Sequence, residues 1–337
     1  MLEAKTLPLL AKGKNLLAFS AGIDSTALFY LLLHEKIPFD IAHVNYHTRE
    51  QSDAEADHAR ALAAQYGKQC YVHDCGEISE NFEAEARRIR YGFFDTLMEA
   101  YGYDVLLTAH QLDDRLEWLL MQLCKGAGLP ELLGMAPVTQ RKGYRLVRPL
   151  LSSTKNDLRS WLDTQGYRYY QDNSNGDPRY KRNRFREQYA GPLLEQYRSG
   201  IQNSLEFLSR DAAALPPLPL PAIETELLMY TGRQERTALM RAVDRWLKQR
   251  GYLLRQGEKE RMITENDLLI GRRYALSITP QCTLVTPLTA RTMPKAFREE
   301  CRVLGIGASV RPYLCANKAY FNAVKSALDA AKGEART

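Results

Sequence analysis

Through the first half of the chain, short apolar runs alternate with longer stretches whose apolar residues recur about every 3.6 positions. Leu16–Ser20, Phe39–Val44, Gln69–Asp74 and Asp104–Ala109 read as buried strands, and Ser25–His34, Ser52–Tyr66 and Phe82–Tyr101 as the helices between them. Strand–helix alternation at this interval predicts an α/β, doubly wound parallel sheet with right-handed crossovers and helices on both faces. Ligands of such sheets gather at the carboxyl ends of the strands. That rule directs attention to residues 20–25, 43–47 and 110–117.

The pattern then changes. Leu151–Gln165 reads as a further helix with Ser152 or Ser153 as its cap, Asp172–Asp177 as a turn cluster, and residues 189–215 as a long helix. The run Pro216–Pro221 can only be extended and marks a boundary. Beyond it, Arg233–Arg250 reads as a helix, and Tyr274–Ile278 with Thr283–Thr286 as a β-hairpin around Pro280–Cys282. The expected organisation is a nucleotide-binding domain over residues 1–190, a helical and Pro-rich linker over 191–221, and a smaller mixed α/β domain over 222–337.

Charge sharpens the picture. The 337 residues carry a net charge of +6, yet Gln140–Arg198 alone holds 13 Lys and Arg against 6 Asp and Glu. Basicity is therefore a patch, which favours an anionic partner, with nucleic acid first. With 45% hydrophobic and 26% charged residues the composition is that of a globular protein and excludes wholesale disorder. No apolar run approaches the roughly 18 residues of a membrane span. Glu3, Lys5, Pro8 and Lys12 interrupt the N-terminus as a secretory signal, so a cytoplasmic protein without membrane contact is expected. The six cysteines include no CxxC pair, which argues against a zinc ribbon or a disulfide framework.

The sharpest chemistry lies where the first strand meets its helix, at Ser20-Ala21-Gly22-Ile23-Asp24-Ser25. A strand ending in small residues at a helix N-terminus offers backbone N–H groups to an anion. Ser20 and Ser25 add hydroxyls, whereas Asp24 would serve a phosphate only by holding Mg²⁺ against it. The plainer alternative is a strand-to-helix turn capped by Asp24 or Ser25. Neither a Walker loop nor a GxGxxG is present.

SAGIDS resembles the SGGxDS pyrophosphate-binding loop of the N-type ATP pyrophosphatases, the PP-loop superfamily, with Ala21 in place of the first glycine. Four further motifs follow in order. They are His43-Val44-Asn45; Asn81-Phe82-Glu83 with Ala86-Arg87 and Arg90-Tyr91; His110-Gln111-Leu112-Asp113-Asp114-Arg115-Leu116-Glu117, with Trp118 replacing a threonine; and Gly126-Ala127-Gly128-Leu129 leading to Asp172 and Tyr180–Arg186. Together they resemble the tRNA(Ile)-lysidine synthetase family over residues 16 to about 190.

That resemblance implies ATP as co-substrate with Mg²⁺, free L-lysine, and a tRNA(Ile) with a CAU anticodon. The wobble cytidine is adenylated and lysine then displaces AMP. It implies ATP contacts at Ser20, Ala21, Gly22, Ile23, Asp24, Ser25, His43 and Asn45, with Asp24 also the Mg²⁺ ligand. Catalysis falls to Asp24, Arg87, His110, Asp113, Asp114 and Glu117, and tRNA contact to Arg179, Tyr180, Lys181, Arg182, Asn183, Arg184 and Arg186. Asp113, Asp114 and Glu117 open one helix, with Asp113 and Glu117 four apart on one face, and form an acidic cluster for an ammonium group. A thiolase of the same superfamily is the alternative and would be expected to carry a CxxC. A catalytically silent tRNA-binding relative is another, and the sequence leaves a homodimer open.

Overall fold

The structure is a computed structural model that describes residues 1–48, 51–76, 78, 82–141, 143–170 and 181–334, without the side chains of Lys181 and Glu334. The chain divides into two compact units, Met1–Ala214 and Leu215–Thr337.

The first unit opens with α1 (Leu7–Lys12) and then winds through β1 (Asn15–Ala18), α2 (Ile23–His34), β2 (Phe39–Asn45), α3 (Ser52–Gln65), β3 (Cys70–Asp74), α4 (Phe82–Tyr101) and β4 (Val105–Leu107). After α5 (Leu112–Leu123) and α6 (Leu129–Leu133) come β5 (Val138–Gln140), β6 (Arg145–Val147) and α7 (Lys155–Gln165). The unit closes with α8 (Lys181–Phe185), a π-helical turn at Arg186–Ala190 and α9 (Gly191–Ala214). The sheet order is β3-β2-β1-β4-β6-β5, parallel except for β5, which pairs antiparallel at the edge. The α/β fold class read from the sequence is the one observed.

Both faces of the central strands are covered, and for that reason residues 16–18 of β1 and Val105–Leu107 of β4 are continuous apolar runs. Leu17, Ile41, Val105 and Leu107 pack against Leu28 and Leu32 of α2 and Leu158 and Leu162 of α7. Leu16, Ala42, Leu106 and Leu146 face Phe94, Leu97 and Met98 of α4. Helix α7 is capped by Thr154, not Ser152 or Ser153. The Thr154 hydroxyl accepts from Asp157 N at 3.1 Å and the Asp157 carboxylate accepts from Thr154 N at 2.9 Å. This T-x-x-D box satisfies two orphan donors at once, which neither serine could do.

Helix α9 falls within residues that the sequence assigns to a linker. It packs into the first unit instead, with Leu194 and Leu205 in one cluster with Leu112 and Leu116 of α5.

The second unit contains β7 (Ile223–Glu224), β8 (Leu228–Thr231), α10 (Arg236–Gln249), α11 (Gln256–Thr264), β9 (Asp267–Ile270), β10 (Tyr274–Ile278) and β11 (Cys282–Pro287), then α12 (Lys295–Val303), α13 (Arg311–Ala316) and α14 (Lys318–Glu334). Its sheet, β7-β8-β11-β10-β9, is antiparallel and includes the expected hairpin as β10 and β11. Alternate residues serve opposite faces. Leu276 and Val285 pack with Trp246 of α10, while Ala275 and Leu284 pack with Leu314 and Val324 of α13 and α14. Among the described residues no helix is long and apolar enough to cross a membrane.

Candidate active site

The carboxyl ends of β1, β2 and β4 bring the three sequence-selected loops together. The first is the turn from β1 into α2. Ser25 Oγ accepts from Ser20 N (3.1 Å), lies 3.1 Å from Ser20 Oγ and donates to Gly22 O (3.2 Å), so one hydroxyl closes the loop. Gly22, the N-cap of α2, is extended and has no side chain to cap the helix. The first-turn N–H groups are thus left to backbone, water or an anion.

Ala21 stands at φ +60° and is wholly buried. An L-residue there costs on the order of 1 kcal/mol of backbone strain, and its buried methyl returns roughly 0.8 kcal/mol. Ala21→Gly is therefore expected to leave the melting temperature almost unchanged. Ala21→Val, β-branched at positive φ, should lower it sharply; thermal denaturation of the two variants checks both. Equal Tm values for the two would show that the backbone relaxes out of the left-handed region.

Asp24, on the first turn of α2, is half-buried, and its buried Oδ1 has no hydrogen-bond partner. Burial, helped by the Asp114 charge, pushes its carboxyl up to about 7, against the opposing pull of Lys155 and Arg186. At the end of β2, His43 Nδ1 lies 3.0 Å from Phe19 O, and burial lowers the pKa of its imidazole. Asn45 Nδ2 donates to Asp53 Oδ1 (2.7 Å), and Asn45 Oδ1 accepts from His47 N (3.0 Å). Both sequence-selected residues of β2 thus hold neighbouring backbone in place beside the loop.

At the end of β4, Gln111 caps α5. Its Oε1 accepts from Asp113 N (2.5 Å), and its own N–H donates to Asp114 Oδ2 at 3.1 Å. This capping box fixes which acids meet. Asp113 Oδ2 accepts from Lys155 N (3.0 Å) and ties α5 to the start of α7. Of the three acids in the expected cluster, Asp114 and Glu117 share partners, while Asp113 is tied to Lys155 N. Arg186 Nη2 reaches Asp114 Oδ1 (2.7 Å) and Glu117 Oε2 (2.9 Å), and Arg186 Nε donates to Glu117 Oε2 (3.0 Å). Arg182 Nε donates to Glu117 Oε1. Glu117 is only 1% exposed, and burial raises its carboxyl although both arginines oppose the shift.

Two members of the expected RNA-binding run, Arg182 and Arg186, therefore lie against these carboxylates. Arg184 is exposed and Asn183 half-buried, while Arg179 and Tyr180, like Asn81 and Asp172, lie outside the described residues. Only the backbone of Lys181 is described.

His110, between β4 and α5, sets Nδ1 3.0 Å from Thr108 Oγ1. Burial drives its imidazole down to about 4, with the charges of Arg148, Arg182 and Arg87 adding to the effect and Asp114 opposing it. His110 is neutral at pH 7. Its folded-state value lies below the unfolded 6.5, so this stabilisation is fully present above pH 6.5 and is lost as pH falls toward 4. The expected loss is on the order of 3 kcal/mol. His110→Gln should melt less pH-dependently across that window; an identical pH profile would assign the shift to another group.

Arg87 is brought near His110 but not onto the carboxylates; its guanidinium lies 4.7 Å from the centre of the Tyr91 ring. Gln111, Thr108, Lys155, Arg148 and Tyr91 were not singled out from the sequence as site residues. For Gln111 a signal existed, since Gln-x-x-Asp before an apolar helix is a capping box.

Comparison with known proteins places this geometry in context. Residues 3–194 match the PP-loop domain family. The chain is 42% identical to a tRNA(Ile)-lysidine synthase of Wolinella succinogenes over 90% of its length and 93% of the relative's. It is 40% identical to the Helicobacter pylori protein of that name, covering 91% of each. With a Campylobacter jejuni one it shares 37% identity, covering 94% and 97%. Among solved structures, a U34-tRNA thiolase, NcsA, from Methanococcus maripaludis superposes with a TM-score of 0.51 at 18% identity, covering 63% of this chain and 76% of the thiolase, a likeness of fold alone.

Proposed function

Because the chain belongs to the tRNA(Ile)-lysidine synthase family, we propose that it joins free L-lysine to C2 of the wobble cytidine of a CAU-anticodon tRNA(Ile) at the expense of ATP. The observation that carries this reading is adjacency. A loop and uncapped helix start suited to phosphates adjoin the buried Asp114–Glu117 pair, suited to an ammonium group.

In the first step the cytosine O2 attacks the α-phosphate, forming a P–O bond and expelling pyrophosphate. Negative charge grows on the leaving group, where preorganised donors act most strongly. The 20–25 loop supplies those donors, and Ser25 keeps the loop closed around them. Mg²⁺ fits this site, because the buried Asp24 Oδ1 lacks any hydrogen-bond donor and would be its ligand. When bound, the ion supplies neutralising charge for the pyrophosphate. Neutral His110 can hydrogen-bond the cytosine without adding a buried charge.

In the second step the lysine ε-amine attacks C2, and AMP departs carrying O2. The arriving group is an ammonium and must lose a proton first. Glu117, whose carboxyl burial has raised, is the better proton acceptor for that raising. Arg182, half-exposed and bound to one Glu117 oxygen, is the contact that the ammonium replaces. All these groups come from one chain, so the chemistry does not require a homodimer. Contacts outside the anticodon, which must separate this tRNA from methionine tRNA with the same anticodon, fall to the unit Leu215–Thr337.

The test uses purified protein, ATP, Mg²⁺, labelled lysine and a CAU-anticodon tRNA(Ile) transcript. Label is expected in that RNA alone, and in neither a wobble-uridine transcript nor methionine tRNA. Firm tRNA binding without label would overturn the reading.

A further inference from the structure

Beside the site, two guanidinium groups flank one tyrosine and a third lies within electrostatic reach of them. Arg87 and Arg141 lie 4.7 and 4.5 Å from the centre of the Tyr91 ring. Arg148, just past β6, is 8% exposed, and its Nη1 donates to Ala136 O (2.7 Å) and Thr139 Oγ1 (3.0 Å), while its buried Nε has no partner. Among the described residues none of the three arginines pairs with a carboxylate. Asp95 takes the Tyr144 hydroxyl, which in turn accepts from Arg141 Nη1 at 3.2 Å. Burial and the charges of Arg87 and Arg141 lower the pKa of Arg148, so the three cations repel one another in place. Unpaired like charges held together, one of them buried, cost stability unless an anion joins them.

Position says which anion. β6 stands two places from β1 in the sheet, about 10 Å, with β4 and His110 between. Asp114 acts on both Asp24 and His110, whereas Arg87 and Arg148 act on His110 and are not among the charges that shift Asp24. The cluster therefore lies on the His110 side of the site, away from the loop suited to ATP. We propose that Arg141 and Arg148, grouped with Arg87 beside Tyr91, form a subsite for an RNA backbone phosphate flanking the nucleotide that reacts. This inference rests on the function proposed above and adds a site to it. Guanidinium forks suit phosphate oxygens, and one such clamp next to the reacting nucleotide fixes its register without reading sequence.

Arg141 is the residue to change, because Arg148 braces β5 and the residues leading into it. Arg141→Ala, and Arg141→Gln to preserve a donor toward Tyr144, would be titrated with tRNA(Ile) transcript over a KCl series. The tRNA Kd is expected to rise roughly tenfold, as for one lost charged contact, and the salt slope to fall by about 0.7. The KM for ATP should not move. In tRNA assembled from two halves, a methylphosphonate on one side of the wobble nucleotide should weaken the wild-type protein about as much, and neither variant further. An unchanged slope would overturn the inference. So would a raised ATP KM with unchanged tRNA Kd, which would identify the anion as a phosphate of ATP. Additive losses from methylphosphonate and variant on both flanks would also overturn it. Absence of lysidine with the wild-type protein would instead sink the proposed reaction, leaving these binding measurements readable.

Discussion

Asp24→Asn is expected to reduce pyrophosphate release by on the order of 10³-fold, the loss of about 4 kcal/mol of transition-state stabilisation. The amide keeps the size of the carboxylate but not the charge that would hold a cation against the leaving phosphates. Folding should not suffer. Burial and Asp114 already push this carboxyl up to about 7, so its charged form is disfavoured in the free protein and a neutral group is tolerated there. The tRNA Kd should stay within about twofold, since a carboxylate repels the RNA backbone and its loss removes no cation that would contact phosphate. Single-turnover pyrophosphate release, tRNA titration and thermal melting of one preparation separate these effects. Normal turnover would remove Asp24 from the phosphate chemistry, and a collapsed Tm would make its role structural.

Much of this was legible because the sheet is buried on both sides. Residues 16–18 of β1 and Val105–Leu107 of β4 are continuous apolar runs, β2 is apolar at most of its positions, and α4 occupies the residues its periodicity predicts, Phe82–Tyr101. β5 and β6 were not legible. Three residues each, with Arg145 opening β6, carry too little pattern, and pairing with β4 and β5 is what makes β6 a strand. At the site, spacing alone could not decide between acids. Asp113 and Asp114 both lie within a turn of Glu117, and the choice depends on Lys155 N, 42 residues away, drawing Asp113 aside. The partners of the basic run were illegible for a similar reason. Lys181–Arg186 has the composition of an RNA contact, and nothing local reveals that the carboxylates of α5 stand opposite Arg182 and Arg186. Charge pattern identifies the ion, whereas its partner is a property of the fold.

Glu117→Gln follows from that partnership and should divide the two steps. Glu117 accepts from two arginines while almost fully buried, and removing its charge leaves Arg186 with Asp114, and Arg182 with only the longer contacts to Asp114 (3.8 Å) and Glu83 (3.9 Å). Breaking a buried pair from one side costs roughly 3–5 kcal/mol when nothing replaces the contact; the amide oxygen still accepts one guanidinium, so a loss nearer the lower end is expected. The chemical effect should be larger than the structural one. The amide can neither balance an ammonium nor take its proton, so the lysine KM is expected to rise about 100-fold, and lysine-dependent AMP release to fall with it. Pyrophosphate release from ATP and tRNA needs neither property. It should survive to within about tenfold, because Asp24 and the 20–25 loop keep their own contacts. Adenylated tRNA should therefore accumulate in the variant, visible as ³²P from α-labelled ATP retained on the RNA. Loss of both steps in equal measure would show that Glu117 serves chiefly to hold Arg186 in place, and that the ammonium is received elsewhere.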